Sequence, residues 1–173
     1  GEFFCLNWNE GIMAEMKKEV RAIGQRISGL QAGETYTFVL KRPKPLADLT
    51  NARRCIKLTT GYLETSKMIM EELEQTHQRI NLGDLPSAQA SFQKAKQMKE
   101  RIGIILGDAH GPEEDAKEDA TDSPGDTKSA YDLGAKAASL SIQHAEWIAK
   151  GLDEAMRAVG AFVEEAANRA TGQ

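Results

Sequence analysis

The sequence predicts an all-α fold: a coiled-coil-like bundle of about four long helices, with a short β-like insertion after the first. Three observations predict it. Apolar residues recur at alternating spacings of three and four over most of the chain, as in helices that bury one stripe. Aromatic residues make up only 6% against 28% charged, which is lean for a β-sandwich or a deep ligand pocket. Short clusters of glycine, proline and aspartate separate the periodic segments, and 173 residues suit a single domain spanning 1–173.

The first helix is expected over 9–30, with Asn9 as N-cap. Met16, Val20, Ile23, Ile27 and Leu30 form its seam, Ile12 extends it, and Gly29 and Gly33 stop it. Residues 34–41, Glu34-Thr35-Tyr36-Thr37-Phe38-Val39-Leu40-Lys41, alternate polar and apolar and read as a strand. Pro43 and Pro45 end it. A lone strand is unstable in water. It must pair with Phe3–Leu6, pair with another chain, or lie as an extended loop on the bundle through Tyr36 and Phe38.

The second helix, 48–82, carries the clearest pattern. Positions 49, 52, 56, 59, 63, 66, 70, 73, 77 and 80 alternate three and four without a break, with Asp48 to cap the start and Gly83 to close the end. Such a rod is roughly 50 Å long. Asp84-Leu85-Pro86 restarts a third helix, expected over 84–106, antiparallel to the second. Its seam is Leu85, Ala88, Phe92, Ala95, Met98, Ile102 and Leu106.

Residues 107–127 lack any large apolar side chain. They hold eight acids against Lys117 alone, so an acidic, mobile linker is expected. The last helix is expected over 129–170. Leu133, Ala137, Leu140, His144 and Trp147 trace one seam, and Ile148, Leu152, Ala155, Val159, Phe162 and Ala166 another, offset by one residue as in a heptad phase shift.

Charge narrows the function classes. The net charge is −4, and outside 107–127 the chain sums to about +3, far from the dense basic footprint of a nucleic-acid binder. The basic residues that do cluster are Lys41, Arg42, Lys44, Arg53, Arg54 and Lys57. Cys5 and Cys55 lack metal-ligand spacing and read as reduced thiols of a cytoplasmic protein. No apolar run reaches a membrane span. Gly1-Glu2-Phe3 reads as a cloning remnant, as in an excised domain or the helical part of a secreted effector.

Candidate chemistry centres on two histidines at seam positions, His77 and His144. With Glu74, three residues before His77, they form the one set suited to a metal or haem inside a bundle. Position 141, three before His144, is serine, so the second Glu-x-x-His of a di-iron site is missing. Thr59, Ser66 and His77 share a seam too widely spaced for a triad. His110, in the expected linker, is not held for chemistry. The sequence therefore favours a non-catalytic protein–protein interaction or scaffold module that needs no cofactor and self-associates as a homodimer. Tyr36, Phe38, Leu40, Arg53 and Arg54 are the expected partner contacts. A metal- or haem-binding bundle is the competing reading.

Overall fold

The computed structural model describes residues 47–172. The helix predicted over 9–30 and the strand over 34–41, with Tyr36, Phe38 and Leu40, lie outside them. The described residues form three helices and no strand: α1, Thr50–Asn81; α2, Leu85–Asp122; and α3, Lys128–Ala170.

The turns follow from local chemistry. Asp48 Oδ1 accepts from the Thr50 amide at 3.0 Å and from the Thr50 hydroxyl, which caps α1 as predicted. That hydroxyl and amide hold the Asp48 carboxyl below its usual range. At the other end Gly83 adopts φ +80°. Its amide donates to Ile80 O at 3.0 Å and the Asp84 amide to Arg79 O at 2.9 Å, the paired bonds of a Schellman closure. Asp84 Oδ1 then accepts from the Ser87 amide at 3.2 Å and starts α2. One short turn thus ends one helix and begins the next.

The buried face of α1 confirms its register and widens it. Ala52, Ile56, Thr59, Leu63, Ser66, Met70, Leu73 and His77 are all buried, as the alternation predicts. Cys55, Tyr62, Ile69 and Thr76 form a further row at seven-residue intervals. Three buried positions per heptad make a broader stripe than a two-stranded coiled coil uses, and suit a helix packed on more than one neighbour.

Two expectations are corrected. Helix α2 does not stop at residue 106 but continues to Asp122, so 107–122 is helical rather than part of a linker. An interior proline costs a helix about 3 kcal/mol, yet Pro112 lies inside α2. Packing holds the helix together around it. Ala88, Ala95, Ile102, Ala109 and Ala116 are buried in one unbroken seven-residue row, and Glu113 and Ala120 in another. The connection to α3 is only Ser123–Thr127, where the Lys128 ammonium donates to Ala120 O at 2.9 Å. Helix α3, likewise, has no phase shift. Residues 134, 138, 141, 145, 148, 152, 155, 159 and 162 are buried at alternating spacings of four and three. The first half of that seam is Gly134, Ala138, Ser141 and Ala145, while Leu133, Leu140 and His144 are half-buried and Trp147 is exposed.

The described residues fall into two units. One comprises 64–103 with 147–172 and packs large side chains, among them Ile69, Leu73, Ile102, Ile148, Leu152 and Phe162. In it, a Cβ on Gly160 would stand 3.0 Å from Phe92 Cζ. The other comprises 47–63 with 104–146 and is built on Ala52, Cys55, Ala109, Ala116, Ala138 and Ile142. There a Cβ on Gly134 would stand 3.2 Å from Ala52 Cβ, so the backbones approach closely.

The helical state of 107–122 is open to test by substitution. Gly107 is exposed, with nothing within 4 Å of an added Cβ. Gly107→Ala is expected to stabilise the protein by about 0.5–1 kcal/mol. Ala116→Leu, in the tight core, is expected to destabilise it by about 1–3 kcal/mol. Denaturant unfolding of both variants reads the outcome, and a mobile linker would leave both unchanged.

Candidate functional site

In the unit of large side chains the polar centre is His77. Its ring stacks on Phe162 with centroids 4.5 Å apart and 12° between planes, and its Nδ1 lies 3.3 Å from Asn81 Nδ2. Thr76, beside it, donates its hydroxyl to Glu72 O at 2.9 Å. The Arg79 guanidinium donates to the Ser91 hydroxyl, joining α1 to α2. Near this end an open cleft of about 460 Å³ is lined by Ile80, Asn81, Leu85, Ala166, Arg169 and Ala170. Glu74, half-buried, shares this unit with His77, whereas half-buried His144 belongs to the other. Among the described residues, no three His, Cys, Asp or Glu side chains gather so as to hold a metal ion.

The small-residue unit surrounds Cys55. The thiol is fully buried and donates to Ala138 O at 3.7 Å, with Ser141 Oγ at 4.0 Å; Ser141 itself donates to Ala138 O at 2.7 Å. Burial pushes the thiol up to about 11, against the lowering effect of the Ser141 contact and with a smaller push from the Glu113 charge. A thiol held protonated is a packing group, not a nucleophile.

Glu113 is a carboxylate in the seam of α2, 7% exposed. Two side chains face it: the His110 ring, with Nδ1 at 3.3 Å, and the Lys117 ammonium, with Nζ at 3.8 Å. His110 Nε2 also reaches Glu146 of α3 at 3.5 Å, and Lys117 reaches Glu114 at 3.3 Å. The Glu114 and Glu113 carboxylates hold the Lys117 ammonium above its usual range. His110 is therefore held between two carboxylates on two helices, where the sequence places it in a mobile linker. In the sequence Glu113 stands within an acidic run, which masks its place in this cluster. The signal was its phase, since position 113 falls four residues after Ala109 and seven before Ala120 in the buried rows.

The predicted partner contacts divide. Arg53 and Arg54 are exposed on α1, and neither forms an ion pair among the described residues. The α1 contact to the acidic part of α2 comes instead from Asn51, whose Nδ2 donates to Asp119 Oδ2 at 2.9 Å. Tyr36, Phe38 and Leu40 lie outside the described residues. Comparison with protein-family models, curated proteins and solved structures finds none that matches this chain.

The state of Cys55 gives two expected results, best read in a Cys5→Ser background. At pH 8 the thiol should react with an aromatic disulfide about 100-fold more slowly in the folded protein than in denaturant. An unfolded thiol releases its proton near pH 9, whereas folded Cys55 holds it to about 11. The folded state therefore binds the extra proton in that window, and stability falls as pH rises through it. Cys55→Ala should flatten that part of the pH–stability curve.

Proposed function

We propose that this chain is a helical protein–protein interaction or assembly module, without a catalytic role, that associates with itself. The observation that carries this reading is where the large apolar side chains stand. The small-residue unit packs Ala52, Ala109, Ala116 and Ala138 inside yet leaves Ile104 67% exposed on α2. The other unit leaves Met68, Leu82 and the half-exposed Trp147 outside. Ile104 therefore contributes little to the core of its own unit and is available to a partner. Exposed aromatic and aliphatic anchors ringed by polar residues are what protein interfaces are made of.

In this reading the heptad segment 9–30 supplies a fourth helix, and the strand-like segment 34–41 pairs between chains through Tyr36, Phe38 and Leu40. Arg53 and Arg54 contact the partner. The reduced, buried Cys55 suits a reducing compartment such as the cytoplasm.

Light scattering at several concentrations tests it. The expected mass exceeds the 19.0 kDa of one chain and rises with concentration, and Ile104→Ser lowers it at a given concentration. A mass of 19.0 kDa throughout overturns self-association.

A further inference from the structure

Two outward stripes of the small-residue unit match one another residue by residue. On α1, Thr50, Arg54, Lys57 and Gly61 follow at spacings of four, three and four; on α2, Gly111, Asp115, Glu118 and Asp122 do the same. All are exposed except Gly61, which is half-buried. Arg54, Lys57, Asp115 and Glu118 form no ion pair among the described residues. An added Cβ on Gly61 or Gly111 would meet nothing within 4 Å.

We propose that a second copy of this chain docks on this face, with α1 of each copy lying antiparallel on α2 of the other. Arg54 then faces the partner's Glu118, Lys57 faces the partner's Asp115, and Gly61 faces the partner's Gly111. The inference rests on the self-association reading above and names its interface.

The order of the residues supplies the argument. Read toward the start of α1 the stripe runs Gly61, Lys57, Arg54, Thr50. Read toward the end of α2 it runs Gly111, Asp115, Glu118, Asp122. Antiparallel helices bring these sequences together in step. Each cation meets an anion, and glycine meets glycine where the backbones must approach. Laying α1 on α1 instead would set Arg54 and Lys57 against like charges.

Symmetry closes the arrangement. Within one chain the Asn51–Asp119 hydrogen bond, 2.9 Å, holds the two stripes level. A two-fold axis along the helices therefore makes both contacts at once, giving a closed, isologous dimer. Ile104 lies on the same α2 stripe, seven residues before Gly111, and supplies apolar area at one end. Opposite charges at matched flanking positions are how paired helices select partner and orientation.

The test is charge reversal in the full chain, read by light scattering or sedimentation as a function of concentration and salt. The wild type should dimerise, more weakly at 0.5 M than at about 0.05 M salt. Arg54→Glu/Lys57→Glu and Asp115→Lys/Glu118→Lys should each raise the dimer dissociation constant by about tenfold or more. Mixing the two variants makes every pair attractive again and should restore wild-type affinity. Circular dichroism should show unchanged helicity; if a reversal variant misfolds, the neutral pair Arg54→Gln/Lys57→Gln takes its place, with a smaller loss expected. Persistent self-association with unaltered affinity in the reversed variants overturns the interface and leaves the assembly reading standing. Failure of the mixture to recover overturns the pairing, and so does capture of a different protein by this face without self-association. A strict monomer overturns both readings.

Discussion

Cys55 has alanine on both of the helices that flank it in its core, Ala109 and Ala116 on α2 and Ala138 on α3, and that closeness sets the terms for its unit. Small side chains at every seventh position let backbones approach until there is no space for more. Glycine at 134 answers the same demand, with Ala52 and Leu49 already at the limit of contact. Each of these small side chains buries little apolar area, so the contact rests on fit and on the pairing of whatever polar groups it admits. It admits Glu113. A carboxylate that close to the interior is tolerated when polar partners reach it, and the His110 ring and the Lys117 ammonium do. The acidic character of α2 and its ties to α3 are thus parts of one solution.

The other unit solves the same packing problem with bulk. Phe162 lies flat against His77, and Ile148, Leu152 and Val159 fill the seam below it. Here the polar residue is accommodated by stacking on Phe162 and by the Asn81 amide. An imidazole between an aromatic ring and a side-chain amide is held in one orientation. His144 takes no comparable place; it is half-buried on α3 in the small-residue unit.

What could be read in advance, and what could not, follows from side-chain size. The register of α1 was legible because Ile56, Leu63, Met70 and Leu73 announce it, and the caps were legible because Asp48, Gly83 and Asp84 have few other uses. The second half of α2 was not. Gly107, Gly111, Pro112 and seven acids resemble a linker when only large apolar residues are scored as core. Its alanines at 109, 116 and 120 carried the true signal, since burial there depends on phase rather than hydrophobic bulk. The same bias split the α3 seam, where Leu133, Leu140 and Trp147 drew attention from Gly134, Ala138 and Ser141. The His110–Glu113–Glu146 cluster was invisible for a different reason, because it joins residues from two helices and needs the fold to exist.

The unbroken register of α1 has a consequence for how such a chain can change length. Each residue advances a helix by about 100°, so removing one between Ala52 and His77 turns every later side chain away from its neighbours. Removing or adding seven returns the stripe to within about 20° of its old direction. Length variation inside these helices is therefore limited to steps that restore the phase, of about seven or eleven residues. Single-residue insertions are confined to Leu82–Asp84 and Ser123–Thr127, where no buried row is in progress.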